Sequence, residues 1–344
     1  MNYHFKNLIF EGGGVKAIAY IGALEVLEQK GILKDIKRVG GTSAGAITAL
    51  LLSLDFNIEE IRNMLWQIDF KRFMDANWGV IRNTDRLLNE FGWYKGNFFR
   101  NWIGEIVKSK TGSNFTTFRE LNNIKNSKNL YLIGTNLSTG LAEIFSHKHS
   151  PDLTLVEGVR ISMSMPFFFT AIRNKESEVC VDGGLLDNYP IKLFDRRSFI
   201  DNYFAKTDYY ETYNRDNNSI NFDPYVFNME TLGFRLDSNK EIKVFEKLEE
   251  PESIDINNFF DFIKRLVATI LDSQQNRHLH SDDWQRTVYI DTLGIKTTDF
   301  DISEDRKNAM VQSGKLYTKQ YFDWFENSDG DIANRPKQAR DIID

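Results

Sequence analysis

Two strand–glycine–helix units occupy the first 55 residues and limit the fold more than any other feature of the sequence. The apolar run "NLIF" (7–10) ends in three glycines, and apolar residues then recur at helical spacing from Val15 to about Gly31. A second unit, "IKRVGGTSAG" (36–45), leads through another glycine turn into an apolar helix. Consecutive strands joined by a helix run parallel, with a right-handed crossover. The sequence therefore predicts an α/β fold around a mainly parallel sheet.

The rest of the chain extends this beginning into one predicted domain over residues 1–344. The length would also accommodate two domains, but α/β enzymes of this size often form one. The predicted parts are a core at about 5–195, a helical layer at 56–128, a polar insertion at 195–223, and C-terminal strands and helices at 223–326. The insertion is rich in Tyr, Asn and Asp and lacks periodicity, which is typical of a loop.

Hydrophobic periodicity predicts the remaining elements. We expect strands at 129–140, 177–191, 225–236 and 286–295, a helix over 153–169 broken near Pro166, an amphipathic helix at 259–279, and a last helix from a Ser303 cap to about Phe325.

Composition and charge exclude several classes of partner. The net charge of -6 provides no basic footprint for nucleic acid and no polybasic membrane anchor. The longest strongly apolar run, 46–54, is too short to span a bilayer, and the first residues lack the apolar core of a signal peptide. The single cysteine, Cys180, allows no intrachain disulfide and favours a reducing compartment. We expect a cytoplasmic protein, with export as a bacterial effector left open.

Three glycine-containing motifs follow predicted strands. Parallel α/β sheets bind ligands at the carboxyl ends of their strands, so we expect these motifs to converge there. They are Gly12-Gly13-Gly14 followed by Lys16, then Gly41-Thr42-Ser43-Ala44-Gly45, and Asp182-Gly183-Gly184.

The second motif has the G-x-S-x-G pattern of a nucleophile elbow. A serine on a sharp turn between a strand and a helix presents its hydroxyl clear of the sheet, and the flanking Gly41 and Gly45 avoid clashes that a Cβ would cause. The same residue type also caps ordinary helices. Because the other two motifs accompany it, we interpret Ser43 as a nucleophile.

A nucleophilic serine needs a base. None of the five histidines follows a strand that ends in a glycine turn; they are His4, His147, His149, His278 and His280. Asp182 does, since it comes after the apolar strand "EVCV" and before two glycines. A free aspartate is a weak base at neutral pH, but burial would raise its pKa. Asp182 is therefore the predicted base.

The glycine triplet explains how the developing oxyanion would be held. Backbone N–H groups at a strand end stabilise negative charge, and Gly12, Gly13 and Gly14 allow a carbonyl oxygen to approach them. Lys16 either adds positive charge or is an ordinary solvent-facing side chain. A phosphate-binding loop is disfavoured because G-x-x-x-x-G-K-[ST] is absent, and a dinucleotide pattern would need Ala17 as its last small residue.

Together these residues resemble the patatin-like phospholipase family. That family has a G-G-G-x-[KR]-G loop, a G-x-S-x-G elbow and a D-G-[GA] motif, which here read "GGGVKA", "GTSAG" and "DGG" in the same order. "SMSMP" (162–166) and "DGGLLDNYP", with Asn188 and Pro190, extend the similarity. Ala17 replaces the usual last glycine of the loop, and Ile161 and Met163 replace smaller residues.

The resemblance implies a three-layer α/β/α patatin-like fold and hydrolysis of acyl esters in lipids. It implies a Ser43–Asp182 dyad without histidine, with Gly12, Gly13, Gly14 and Lys16 at the oxyanion hole, and steps that need no metal or cofactor. The expected substrate is a phospholipid or another acyl-ester lipid, reached by transient contact with a membrane surface. The substrate's head group and any protein partner stay undetermined.

Three alternatives remain open from the sequence. An α/β-hydrolase triad would use Ser43 and Asp182 with His278 or His280, although that fold normally places more strands before its serine. An acyltransferase would share the acyl-enzyme, and a silent lipid-binding protein would share only the fold. For lipid contact the candidates are "PFFFTAI" (166–172) and the tryptophans of the helical layer (Trp66, Trp78, Trp93 and Trp102), all of which are also compatible with a core role.

Overall fold

The computed structural model describes residues 3–68, 72, 87, 89–217, 219, 222–238, 253, 255–258, 261–263, 265–266, 268–270, 282–297 and 299–327. The expected helix at 259–279 and Trp78 lie largely or wholly outside this part of the chain. Across the described segments, none of the helices combines the length and the apolar character needed to cross a lipid bilayer.

In the described residues, twelve strands form one large sheet and two small ribbons. They are β1 (Asn7–Phe10), β2 (Arg38–Thr42), β3 (Gly92–Tyr94), β4 (Asn129–Asn136), β5 (Leu141–Phe145), β6 (Phe167–Phe169), β7 (Ile172–Arg173), β8 (Val179–Asp182), β9 (Phe204–Ala205), β10 (Phe227–Asn228), β11 (Thr231–Asp237) and β12 (Thr287–Asp291).

The large sheet has the order β12-β11-β1-β2-β4-β8-β7, with β5 also paired to β4. The first five strands of this order run parallel, whereas β5, β8 and β7 pair antiparallel. β9 pairs with β10, and β3 pairs with β6, in the two ribbons. The predicted parallel β-α-β start and the mainly parallel sheet are confirmed.

Two strands meet end to end along β4. β2 runs parallel beside β4 up to the pair Thr42–Ile133, and β8 takes over antiparallel at the next position, where Asp182 pairs with Gly134. Both lie on the same edge, because β5 occupies the other edge of β4 at these positions. The carboxyl ends of β2 and β8 therefore face each other. The expected convergence of motifs occurs, but through an antiparallel strand rather than a parallel one.

Eight helices surround the strands in the described residues. They are α1 (Ala19–Gln29), α2 (Ala44–Ser53), α3 (Ile58–Trp66), α4 (Asn97–Thr111), α5 (Phe118–Asn122), α6 (Leu155–Ser162), α7 (Asp208–Asp216) and α8 (Glu304–Glu326). Ser303 caps α8 through the N–H of Arg306, as predicted.

Both faces of the sheet are buried, which gives three layers. Alternate residues of β1 separate the two sides: Leu8 and Phe10 belong to the main core with α1, α2 and α8, and Ile9 belongs to a second cluster. That second cluster is covered by the segment 189–199, which includes short 3-10 turns. The three layers around a mainly parallel sheet expected from the resemblance are thus present, and the layer over Ile9 consists of this segment with its 3-10 turns.

Helix α8 packs closely against α1 at two glycines. A Cβ on Gly22 of α1 would lie 1.9 Å from the carbonyl oxygen of Val311, and one on Gly314 of α8 would lie 1.9 Å from that of Ala19. Only glycine permits this approach of two helix backbones. Helix α8, the last element of the described residues, therefore packs directly on the first β-α unit.

Two segments differ from the sequence expectation. The helix expected over 153–169 ends at Ser162, and β6 follows after Pro166. The polar insertion at 195–223 contains β9 and α7 rather than only loop. Its start is held by buried ion pairs, because the guanidinium of Arg286 contacts Asp195 at 2.5 Å and Asp283 at 2.7 Å.

Candidate active site

Ser43 lies on a strained turn between β2 and α2. Its backbone has φ 53° and ψ −124°, a conformation that L-residues with side chains rarely adopt. A Cβ on Gly41 would lie 2.5 Å from the carbonyl oxygen of Gly45, and one on Gly45 would lie 2.3 Å from that of Phe10. The glycines therefore permit the tight turn, and the strain is of the kind found at functional sites.

Asp182 faces Ser43 across the junction of β2 and β8. Its carboxylate accepts a hydrogen bond at 2.8 Å from the N–H of Gly184, and it lines the same small cavity as the Ser43 hydroxyl. Its own N–H donates to the carbonyl of Ser164 at 2.9 Å. Burial raises the pKa of Asp182 to about 7, although the N–H of Gly184 and the hydroxyl of Ser43, which favour the ionised form, oppose the rise. A carboxyl group with this pKa is partly ionised at neutral pH and can accept a proton there.

The glycine loop passes directly beside Ser43. A Cβ on Gly12 would lie 3.0 Å from the Cβ of Ser43 and 2.4 Å from Oδ1 of Asn188. The N–H of Gly12 donates to the backbone carbonyl of Asn188 at 3.0 Å, and the Asn188 amide donates back to the carbonyl of Gly12 at 3.0 Å. The N–H of Gly12 is therefore engaged within the chain. The N–H of Gly13 has no acceptor among the described residues.

The other two predicted oxyanion residues point elsewhere. Gly14 has φ 54° and packs against the carbonyl of Thr297. Lys16 is buried, so its interpretation as a solvent-facing side chain is wrong. Burial raises the pKa of Glu11 beside it, and the charge of Lys16 opposes that rise. Neither residue is among those that line the cavity over Ser43.

That cavity holds about 20 Å³, which is room for about one water molecule. It is lined by Gly12, Gly13, Ser43, Met165, Pro166, Asp182, Leu185, Asn188 and Thr297. The sulfur of Met163 lies 3.6 Å from the Ser43 hydroxyl. An acyl chain therefore cannot enter without a shift of the segment that carries Met163, Met165 and Pro166.

Arg160 anchors this segment through hydrogen bonds. Its side chain is buried and donates to the Ser164 hydroxyl at 2.5 Å and to the carbonyl of Lys95 at 2.8 Å. Ser162 in the same segment accepts the N–H of Ser43 at 3.0 Å. In the sequence, "SMSMP" is marked only by its similarity to the family segment, and Arg160, at the end of an amphipathic helix, has no distinguishing signal.

Glu11 is a second residue that the sequence analysis missed. It is fully buried beneath the glycine loop, where it accepts the N–H of Leu236 at 2.6 Å and faces the Asn188 amide at 3.4 Å. Burial raises the pKa of Glu11 to about 8, and the nearby Arg235 acts against that rise. Its position directly before the glycine triplet is the sequence feature that could have identified Glu11.

The described histidines lie away from the cavity. His4 contacts the ring of Tyr203, and Nδ1 of His149 lies 2.8 Å from the Ser146 hydroxyl. His147 contacts the ring of Tyr131. His278 and His280, the histidines considered for a triad, lie outside the described residues.

Comparison with known proteins gives a consistent answer. The family model described as patatin-like phospholipase matches residues 8–195. The uncharacterised protein YqhO of Bacillus subtilis is 27% identical over 91% of this chain and 96% of its own length. A cGAMP-activated phospholipase of Escherichia coli is 23% identical over 80% of this chain and 73% of its own length. The crystal structure of VipD from Legionella pneumophila shares the fold, with a TM-score of 0.59 and 18% identity over 93% of this chain and 67% of that one.

Proposed function

We propose, because this chain belongs to the patatin-like phospholipase family, that it hydrolyses acyl esters of lipids with Ser43 as nucleophile and Asp182 as base. The family and the names of its relatives support a lipid hydrolase in general. The two residues and the acyl-enzyme are the finer part of the proposal. The observation that carries it is a strained, buried serine that shares one small cavity with a buried aspartate of raised pKa.

In the first half of the proposed reaction, the carboxylate of Asp182 takes the hydroxyl proton of Ser43 as Oγ bonds to the ester carbonyl carbon. The carbonyl oxygen becomes an oxyanion, for which the N–H of Gly13 is the available donor on the cavity wall. The intermediate collapses, the C–O bond to the alcohol breaks, and Asp182 returns the proton to the leaving oxygen. Ser43 is left acylated.

In the second half, Asp182 takes a proton from water, whose oxygen attacks the acyl carbon. Collapse of this second intermediate releases the fatty acid and returns the proton to Ser43. The cavity over Ser43 has room for about one water molecule, which fits this step. Asn188 acts as a positioning residue, because it fixes Gly12 and hence the loop that presents Gly13.

We also keep the proposal of a single domain. Strands from Asn7 to Asp291 share one sheet, and α8 packs on α1. Ser43 and Asp182 belong to strands of that same sheet, so the site depends on its integrity.

The test is incubation with defined phospholipids and lysophospholipids, followed by mass spectrometry of released fatty acids. Wild type should release fatty acid, and Ser43→Ala and Asp182→Asn should not. The variants His278→Ala and His280→Ala should keep activity. Loss of activity in a folded His278→Ala or His280→Ala variant would instead support a histidine base.

A further inference from the structure

Two exposed phenylalanines lie on neighbouring strands next to a residue that lines the active-site cavity. β3 and β6 form a two-stranded parallel ribbon in which Gly92 pairs with Phe167. Phe91 comes directly before Gly92, and Pro166, which lines the cavity, comes directly before Phe167. We call Phe91 and Phe167 the phenylalanine pair.

Both residues of the pair have left-handed backbones. Phe91 has φ 62° and Phe167 has φ 66°, a region that bulky side chains rarely occupy and that glycine adopts freely. Backbone strain of this kind clusters at functional sites and ligand-binding segments. Burial within the chain does not account for these two, since Phe91 is 47% and Phe167 is 38% exposed.

The apolar surface continues across the cavity. Leu185 lines the cavity, and the next residue, Leu186, is 37% exposed. In two places, therefore, an apolar side chain that lines the cavity is followed in the chain by an exposed apolar one. The cavity itself is nearly filled, and we take these exposed side chains as its apolar rim.

We propose that the phenylalanine pair, with Leu186, is the surface by which this protein docks on a lipid layer. The inference rests on the proposed function, because a substrate that is itself part of a lipid layer makes that layer the occupant of an apolar rim around the site. Docking places the rings among acyl chains, where their exposed area is removed from water. It also brings the layer to the neighbouring segment that carries Met163, Met165 and Pro166 beside Ser43.

The test measures binding separately from turnover. The inactive Ser43→Ala protein is mixed with phosphatidylcholine vesicles, and the bound fraction is measured by co-sedimentation. The change Phe91→Gly with Phe167→Gly removes both rings and suits the left-handed backbone, so the double variant should keep the thermal stability of its parent. We expect its partitioning onto vesicles to fall by about tenfold or more, from the apolar area of two rings.

Phe204→Ala is the matched control. Phe204 is 39% exposed, almost the same as Phe167. It lies in β9, which pairs with β10 near the amino end of β11, whereas the active site lies at the carboxyl ends of the strands. This variant should bind vesicles as its parent does.

A second measurement uses the same changes in the active protein. Hydrolysis of a soluble short-chain ester should stay within about twofold of wild type, and hydrolysis of vesicle lipid should fall with binding. Unchanged vesicle binding in the Phe91→Gly, Phe167→Gly protein would overturn the docking surface, whether or not the protein is an esterase. If vesicle binding depends on the two phenylalanine rings but no ester is hydrolysed, the docking surface is supported and the proposed function is contradicted.

Discussion

The pH dependence of turnover follows directly from the environment of Asp182. Burial raises its pKa from 3.8 to about 7, and only the ionised carboxylate can take the Ser43 proton. With that pKa, about 1% of the carboxyl groups are ionised at pH 5 and about 90% at pH 8. We therefore expect kcat/KM for a soluble ester to fall by about two orders of magnitude from pH 8 to pH 5.

The assay is kcat/KM between pH 5 and pH 9, at two temperatures. Below the midpoint near pH 7, the rate should fall about tenfold per pH unit. The midpoint should barely move on heating, because carboxyl ionisation has a small enthalpy, whereas the midpoint of an imidazole base would move to lower pH. A rate that stays constant down to pH 5 would refute the raised pKa, and a strongly temperature-dependent midpoint would refute the aspartate as the base.

Three further variants test separate parts of the account. Gly12→Ala places a Cβ 2.4 Å from Oδ1 of Asn188, so kcat for a soluble ester should fall by about a hundredfold or more while the circular dichroism spectrum stays unchanged. A near-normal kcat would contradict the role of the glycine loop. Ser43→Gly relieves a left-handed serine and should raise the free energy of unfolding by about 1 kcal/mol in urea titration, while a lower value would mean that the turn is not strained. Arg286→Met leaves two buried carboxylates without their cation and should lower that free energy by about 3 to 5 kcal/mol; a loss below about 1 kcal/mol would show that the ion pairs do not anchor the insertion.

The first half of the fold was predictable because its signals are local. The glycine turns after β1 and β2 mark the ends of two strands, and the apolar spacing after each marks a helix. The parallel pairing of β1 and β2 then follows from the helix between them. Ser303 likewise marks the start of the last helix, because serine is a preferred N-cap residue.

What the sequence could not provide was pairing between distant strands. The expectation that Asp182 lies near Ser43 came from motif position and resemblance, with β8 assumed to be parallel. In the structure β8 runs antiparallel along β4 and meets β2 end to end, an arrangement set by contacts between residues far apart in the chain. Likewise, hydrophobic pattern alone does not reveal that the N–H of Gly12 is engaged by Asn188.

Buried charges were the other feature hidden from sequence reasoning. Lys16 reads as a helix side chain of the first turn, and Arg160 as the polar side of an amphipathic helix, yet both are buried. Arg160 is compensated by hydrogen bonds to the Ser164 hydroxyl and to the Lys95 carbonyl, which lies in a different part of the chain. Such compensation depends on the finished fold, because an isolated buried charge would be too costly.

The most direct test of the central claim is covalent labelling of the serine. A fluorophosphonate probe is incubated with wild type, Ser43→Ala and Asp182→Asn, and the labelled peptide is identified by mass spectrometry as labelling is followed in time. The account predicts one adduct per chain on Ser43, none in Ser43→Ala, and much slower labelling in Asp182→Asn. An adduct on another residue, or equal labelling rates in wild type and Asp182→Asn, would contradict it.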